Sequence, residues 1–220
     1  MKLLAVDSAT EACSAALSID GRISERWILE PRAHARRLLS MVDSLCQEAD
    51  IRIAQLDALA FGCGPGSFTG LRIAASLAQG MAFGADIPVL PVSTLATIAQ
   101  SAVAEGVDGV LVAIDARMQE VYWGRYRRGE QRMEAMGEEL VCSPEAVPLP
   151  AEGRWLGLGT GWAAYADGLM SRAGPLLSAM DDQRLPRASD MLALGAVDFH
   201  AGKALPAEQA QPVYLRNQVV

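Results

Sequence analysis

Histidine is nearly missing from this 220-residue chain. Its two histidines, His34 and His200, stand far apart, with no second ligand at metal spacing, which excludes a His-rich metal site. They also leave no Ser/His/Asp set or metal pair for a peptidase. The four cysteines (Cys13, Cys46, Cys63, Cys142) are scattered and form no C-x-x-C, so free thiols in a reducing, cytoplasmic setting are expected. Basic residues are outnumbered, 19 against 26 acidic, giving a net charge of −7 and a pI near 4.9. Such a surface repels phosphate backbones and argues against independent nucleic-acid binding. Aromatic residues make up only 5% and do not interleave with basic ones. No apolar run approaches a membrane span, and Met1-Lys2 leads straight into a strand pattern, so no signal peptide is expected. What is plentiful is apolar content, 51%, the mark of a well-packed globular protein.

The densest signal is Gly62-Cys63-Gly64-Pro65-Gly66-Ser67-Phe68-Thr69-Gly70, which follows the apolar run Leu56–Phe61 and precedes a helical stretch, Leu71–Phe83. A strand feeding a glycine loop and a helix start is a general anion cradle. The spacing is neither that of a P-loop nor that of a dinucleotide fingerprint. In the helix, Gly70, Ala74, Ala78 and Ala82 form a stripe of small side chains beside a bulky stripe of Ile73, Leu77 and Met81. Apolarity on more than one face predicts burial on more than one face.

The remaining chain reads as strands and helices in two similar halves. Lys2–Val6, Ala12–Ile19 and Arg22–Leu29 form a meander, with Asp20-Gly21 as its hairpin turn. An amphipathic helix follows, with His34, Leu38, Val42, Leu45 and Ala49 on one face. Ile87–Pro91 is a strand, and Ser93 caps a helix running to about Ala104. Gly109–Ile114, Glu120–Arg127 and Gln131–Val141 restate the opening meander: Leu4-Ala5-Val6-Asp7 matches Val112-Ala113-Ile114-Asp115. Trp155–Gly161 is a strand entering a second glycine-rich turn, Trp162–Arg172 a helix, Gly174–Pro186 a loop, and Ser189–Ala201 a helix before an extended tail. The expected organisation is an α/β protein of two duplicated lobes, 1–105 and 106–220, with the last helix and tail packing back on the first. In a cleft between such lobes, Asp7, Ser8, Thr10, Gly64, Gly66, Asp115 and Gly159 are the candidate vestigial nucleotide or phosphate site. Capping of turns by the two aspartates is the competing reading.

Four stretches together resemble the bacterial TsaB (YeaZ) family. They are Asp7-Ser8-Ala9-Thr10-Glu11-Ala12-Cys13-Ser14, Gly64-Pro65-Gly66-Ser67-Phe68-Thr69-Gly70-Leu71-Arg72-Ile73, Asp115-Ala116-Arg117 with Glu120-Val121-Tyr122, and Pro212-Val213-Tyr214-Leu215-Arg216. The resemblance implies an actin-like (ASKHA, ribonuclease H-like) fold of mixed sheets flanked by helices. It implies a subunit that supports formation of N6-threonylcarbamoyladenosine at tRNA position 37, next to the anticodon of tRNAs reading A-starting codons. In that family a larger paralogue, TsaD, does the chemistry with a metal held by an H-x-x-x-H helix. Here the corresponding run is His34-Ala35-Arg36-Arg37-Leu38, with leucine in the second ligand position, so a catalytically degenerate scaffold with no metal is expected. The partners implied are TsaD as heterodimer, the ATPase TsaE, tRNA only through the complex, and a second copy of the chain when TsaD is absent. No cofactor is required, although weak ATP or ADP binding at the complex is allowed for. The partner interface is expected on His34, Leu38, Val42, Leu45, Gly70, Ala74, Ile73, Leu77 and Ala78. Bulky replacements of Ala74 and Ala78 are expected to break the heterodimer without disturbing the fold. The alternatives are a stand-alone small-molecule kinase or ATPase of the same fold using Asp7 or Asp115, and an interaction protein whose homodimer is the working form.

Overall fold

A computed structural model describes residues 1–30 and 34–216. In chain order its elements are β1 (Lys2–Asp7), β2 (Ala12–Ile19), β3 (Arg22–Leu29), α1 (His34–Glu48), β4 (Ala58–Gly64), α2 (Phe68–Ala85), β5 (Val89–Ser93), α3 (Thr94–Gln100), β6 (Gly109–Asp115), β7 (Val121–Arg128), β8 (Met133–Ala135), β9 (Leu140–Cys142), β10 (Trp155–Leu158), α4 (Gly161–Ala164), α5 (Ala166–Ala173), β11 (Leu177–Asp181) and α6 (Ala188–His200). They divide into two compact units. Unit 1 is Met1–Thr97 with Pro186–Val213, and unit 2 is Ile98–Leu185 with the chain from Tyr214 on. The division falls between residues 97 and 98, not 105 and 106, and α6 belongs to unit 1.

Each unit is built on the same sheet. Unit 1 has the order β3-β2-β1-β4-β5, with β1 antiparallel to β2, β2 antiparallel to β3, and β1, β4 and β5 mutually parallel. Unit 2 has the order β8-β7-β6-β10-β11, with the same directions: a three-stranded meander followed by two parallel additions. The repeat seen in the sequence is therefore a repeat of topology. It gives two mixed sheets flanked by helices, of the same construction.

In unit 1 the sheet is covered on both faces, which is why β1 and β4 are continuously apolar rather than alternating. Leu4, Val6 and Phe61 face a core completed by Leu38, Val42 and Leu45 of α1 and Ala75, Ala78 and Ala82 of α2. Leu3, Ala5 and Ala60 face the opposite way, onto Ala188, Met191 and Leu192 of α6. Two neighbours hold the start of α6. Ser14 Oγ accepts from the Ala188 N–H at 3.0 Å, and Glu25 accepts from the Ser189 N–H at 3.0 Å while pairing with Arg187 at 2.6 Å. The Asp20-Gly21 turn has φ of 49° and 86°, as a two-residue hairpin of this hand requires.

In unit 2 the core centres on Trp123 and Trp162, whose rings lie 5.9 Å apart, with Leu111, Ala113, Val121 and Leu169. Three expectations change here. Gln131–Val141 is not one strand but two, β8 and β9, separated by Gly137 at φ 93°. Trp162–Arg172 is broken into α4 and α5 at Tyr165, whose backbone leaves the helical region. The stretch Gly174–Pro186 contains an edge strand, β11, paired parallel to β10.

Candidate functional site

The glycine loop between β4 and α2 is closed against its own unit. A Cβ on Gly66 would lie 2.3 Å from the carbonyl oxygen of Ala9, and one on Gly70 1.9 Å from that of Ser8. The Ser67 N–H donates to Ala9 O at 2.7 Å, the Gly70 N–H to Ser67 Oγ at 3.3 Å, and the Leu71 N–H to Ser67 O at 2.9 Å. The Ser67, Gly70 and Leu71 amides are thus engaged, and Gly66 and Gly70 serve close backbone packing. Gly64 is likewise closed over, its missing Cβ position lying 2.6 Å from Val213 O. Gly64 and Gly66, expected in a vestigial nucleotide or phosphate site, therefore each lie against a backbone carbonyl oxygen of unit 1. Ser8 is no free phosphate donor, since its hydroxyl donates to Gly70 O at 2.8 Å. Thr10 Oγ1 accepts from the Ala12 N–H at 3.3 Å and caps the same turn.

Asp7 ends β1 with no exposed surface. One carboxylate oxygen accepts the Ala9 N–H at 3.1 Å, and the other has no hydrogen-bond partner. That second oxygen lies against the backbone of Gly62, where a Cβ would come within 1.9 Å of it. Burial pushes the carboxyl up to about 6, and the Ala9 N–H offsets only part of that. Cys13 is pushed up to about 12, first by its own burial and then by the charge of Asp7.

Asp115 ends β6 in unit 2, and its carboxylate is fully engaged. It accepts the Arg117 N–H at 2.8 Å and the Tyr165 hydroxyl at 3.0 Å, and it pairs with the Arg117 guanidinium at 2.7 Å. Gly159, at φ 103°, packs on the Ala113 carbonyl oxygen, 2.4 Å from its missing Cβ. Asp7 and Asp115 occupy equivalent strand ends in different units.

His34 opens α1. Its Nε2 lies 3.0 Å from the carbonyl oxygen of Thr10 and donates to it, while the buried Nδ1 has no partner. Leu38 is fully buried in the core of unit 1, as are Val42 and Leu45. Gly70, Ala74 and Ala78 are buried as well. Six of the nine residues expected at a partner interface therefore face inward and present no surface. Bulky side chains at Ala74 or Ala78 would disrupt the core rather than an interface.

The outward face of α2 is offset from the small-residue stripe. Ile73 and Leu77 are half-buried and line a groove of about 550 Å³ with Ala35, Phe68, Thr69, Arg72 and Ser76. The Arg72 guanidinium lies 3.9 Å above the Phe68 ring. Further along, Phe83 is 76% exposed, and Gly80 and Gly84 face open space, with nothing within 4 Å of where a Cβ would stand at either. Glycine inside a helix costs about 1 kcal/mol relative to alanine, and nothing within unit 1 requires it at these two positions.

A family model described as TsaD, the tRNA N6-adenosine threonylcarbamoyltransferase, matches residues 29–161. The chain is 45% identical over 229 residues to the tRNA threonylcarbamoyladenosine biosynthesis protein TsaB of Escherichia coli K12, covering all of this chain and 96% of that protein. The protein of the same description from Haemophilus influenzae is 41% identical over 230 residues, covering 100% and 95%. The solved structure of YeaZ from Pseudomonas aeruginosa matches with a TM-score of 0.92 at 46% identity, over 97% of this chain and 99% of that one. The chain belongs to the TsaB (YeaZ) family.

Membership places this TsaB-family chain in tRNA threonylcarbamoyladenosine biosynthesis. Among its described residues no helix is long and apolar enough to cross a membrane. The residues of the outward face of α2 that were not among the interface residues expected from the sequence are Phe68, Arg72, Ser76, Gly80, Phe83 and Gly84. A signal for them was present, because Ser76, Gly80 and Gly84 also recur every fourth residue. Periodicity finds stripes but does not say which one faces the sheet.

Proposed function

We propose that this chain is a non-catalytic subunit that binds and activates a TsaD-type threonylcarbamoyltransferase, supporting modification of the adenosine at tRNA position 37. The observation that carries this reading is the outward face of α2, which bears an apolar groove along its first half and, further along the helix, two glycines with open space in front of them. Small residues on a helix allow another backbone to approach closely, and an apolar rim then supplies buried area. The TsaD-type paralogue is the proposed occupant, because the chain matches that family's own model and a paralogous fold presents similar helices. In its absence a second copy of this chain would use the same face, while tRNA and the TsaE-type ATPase would meet the chain through the complex. Asp115, already saturated by Arg117 and Tyr165, weighs against the stand-alone kinase reading.

The test is a chain carrying Gly80→Leu and Gly84→Leu together. Both positions face open space, so the isolated chain should keep its thermal stability. Affinity for the TsaD-type paralogue, measured by calorimetry or sedimentation, should fall at least a hundredfold. Unchanged affinity in a folded variant would overturn the reading.

A further inference from the structure

Among the described residues, little holds down the first turn of α1. Ala35, Arg36 and Arg37 are exposed, and the first fully buried side chain of the helix is Leu38. No acidic residue lies in that turn. Its two arginines instead place positive charge at the positive end of the helix dipole, which disfavours it. Arg37 pairs with Glu30 at 2.9 Å, but both side chains are more than 40% exposed, and such surface pairs contribute little. Ser40 Oγ donates to the Arg37 carbonyl at 2.8 Å within the helix, and among the described residues the His34 ring is what ties this turn to the interior of the unit. Its Nε2 reaches across to the Thr10 carbonyl oxygen at 3.0 Å, in the turn between β1 and β2. A carbonyl oxygen only accepts, so Nε2 carries the proton, and the tautomer is fixed by this bond. The Thr10 turn is itself firm, since Thr10 Oγ1 accepts from Ala12 and the neighbouring Ser8 hydroxyl is bonded to Gly70 O. Ala35, one residue beyond His34, forms a wall of the groove beside α2.

We infer that His34 is a positioning residue that pins the first turn of α1 to the Thr10 turn and so holds the Ala35 wall of the groove in place for the partner. The inference rests on the proposed use of that groove. A histidine stands here because its ring spans from a helix start to a neighbouring turn and carries a donor at its tip. Glutamine offers a donor at comparable reach, and alanine offers none.

Hydrogen exchange of the full-length chain tests the pin directly. The amides of Leu38, Leu39 and Ser40 donate to carbonyls of the first turn. In His34→Ala their exchange should quicken at least tenfold, while the amides of β1 and β4 stay as they are. His34→Gln should return them to within about threefold of the parent. In parallel, affinity for the TsaD-type paralogue should fall about tenfold in His34→Ala and recover in His34→Gln. Unchanged exchange in a folded His34→Ala chain overturns the pin. Faster exchange with unchanged affinity overturns its role in docking. Should Gly80→Leu with Gly84→Leu leave the complex intact, the face itself is wrong. That failure is distinct, because the exchange measurement needs no partner.

Discussion

The two units share a sheet order, yet the carboxylate at the end of the first strand meets opposite surroundings in each. Asp7 is sealed in with one oxygen unpartnered, whereas Asp115 collects an amide, a hydroxyl and a guanidinium. The turn that follows makes the difference. In unit 1 the turn after β1 is pressed inward by Gly66 and Gly70, and its hydroxyls bond back onto the chain. In unit 2 three successive non-glycine residues, Arg117, Met118 and Gln119, take φ of 62°, 54° and 61°. Each costs roughly 1–2 kcal/mol in that conformation. The result is a turn that folds the Arg117 side chain, itself 86% exposed, back onto Asp115. Topology places the carboxylate at the strand end, and the turn decides what it meets there.

The glycine loops of the two units sharpen this comparison and give the largest expected effect. Both loops press on the first strand of their sheet or the turn after it, alike at Gly66 and Gly159 but not at the glycine nearest the helix start. A methyl at Gly70 would come within 1.9 Å of a backbone oxygen, whereas at Gly161 the nearest atoms are carbons of Ala113 at 2.9 Å. Gly70→Ala should therefore cost on the order of 3 kcal/mol or more, and Gly161→Ala about 1–2 kcal/mol. Urea titration of the two variants measures the difference. Equal losses would mean that the two loops are not packed as differently as they look.

The carboxylates come next, with opposite signs. Asp7 is raised to about 6 from an ordinary 3.8. A raised acid favours the folded state while protonated, so its contribution is present below pH 3.8 and is lost as pH rises through about 6. The full shift corresponds to about 3 kcal/mol. Asp7→Asn should therefore stabilise the chain by about 2–3 kcal/mol at pH 7.5, with the gain vanishing near pH 4. Asp115→Asn should instead destabilise by about 1–2 kcal/mol at pH 7.5, because partnered hydrogen bonds are lost. Denaturation of both variants across pH 4 to 7.5 checks the signs. A destabilised Asp7→Asn at pH 7.5 would show that the unpartnered oxygen finds a donor in solution.

Most of this fold was legible in the sequence, because apolar runs, the Asp20-Gly21 turn and the paired Asp-ended strands are local signals. The Gly-Pro-Gly-Ser-Phe-Thr-Gly-Leu-Arg block pointed to the family for the same reason. What was not legible depended on contacts between distant segments. Ala74, Ala78, Leu38 and Val42 show a periodic stripe whether it meets a partner or the chain's own sheet. Only the packing of α1 and α2 on β1, β2 and β4 settles which. β11 was missed because Leu177–Asp181 is mostly exposed at a sheet edge and lacks the apolar run of a buried strand. The engaged state of Asp115 rests on Tyr165, 50 residues away, which no spacing rule would pair with it.

The smallest effect separates the two sides of α2. On its inner side, Gly70 is required by the Ser8 carbonyl; on its outer side, Gly80 and Gly84 meet nothing. Alanine at either outer position removes backbone freedom from the unfolded chain and adds a good helix former, so each replacement should stabilise the isolated chain by about 0.5–1 kcal/mol. The two gains should add to within a few tenths, since neither side chain would touch a neighbour within the unit. If a partner helix packs across these positions, the same two methyl groups should weaken the complex while they strengthen the subunit. Thermal melts of the isolated chain and of the complex, run side by side for Gly80→Ala with Gly84→Ala, read both quantities. A stabilised subunit in a weakened complex means that the glycines are kept for the partner. A gain that carries over undiminished into the complex would place the partner elsewhere, and the open outer face of α2 would then need another reason for its two glycines.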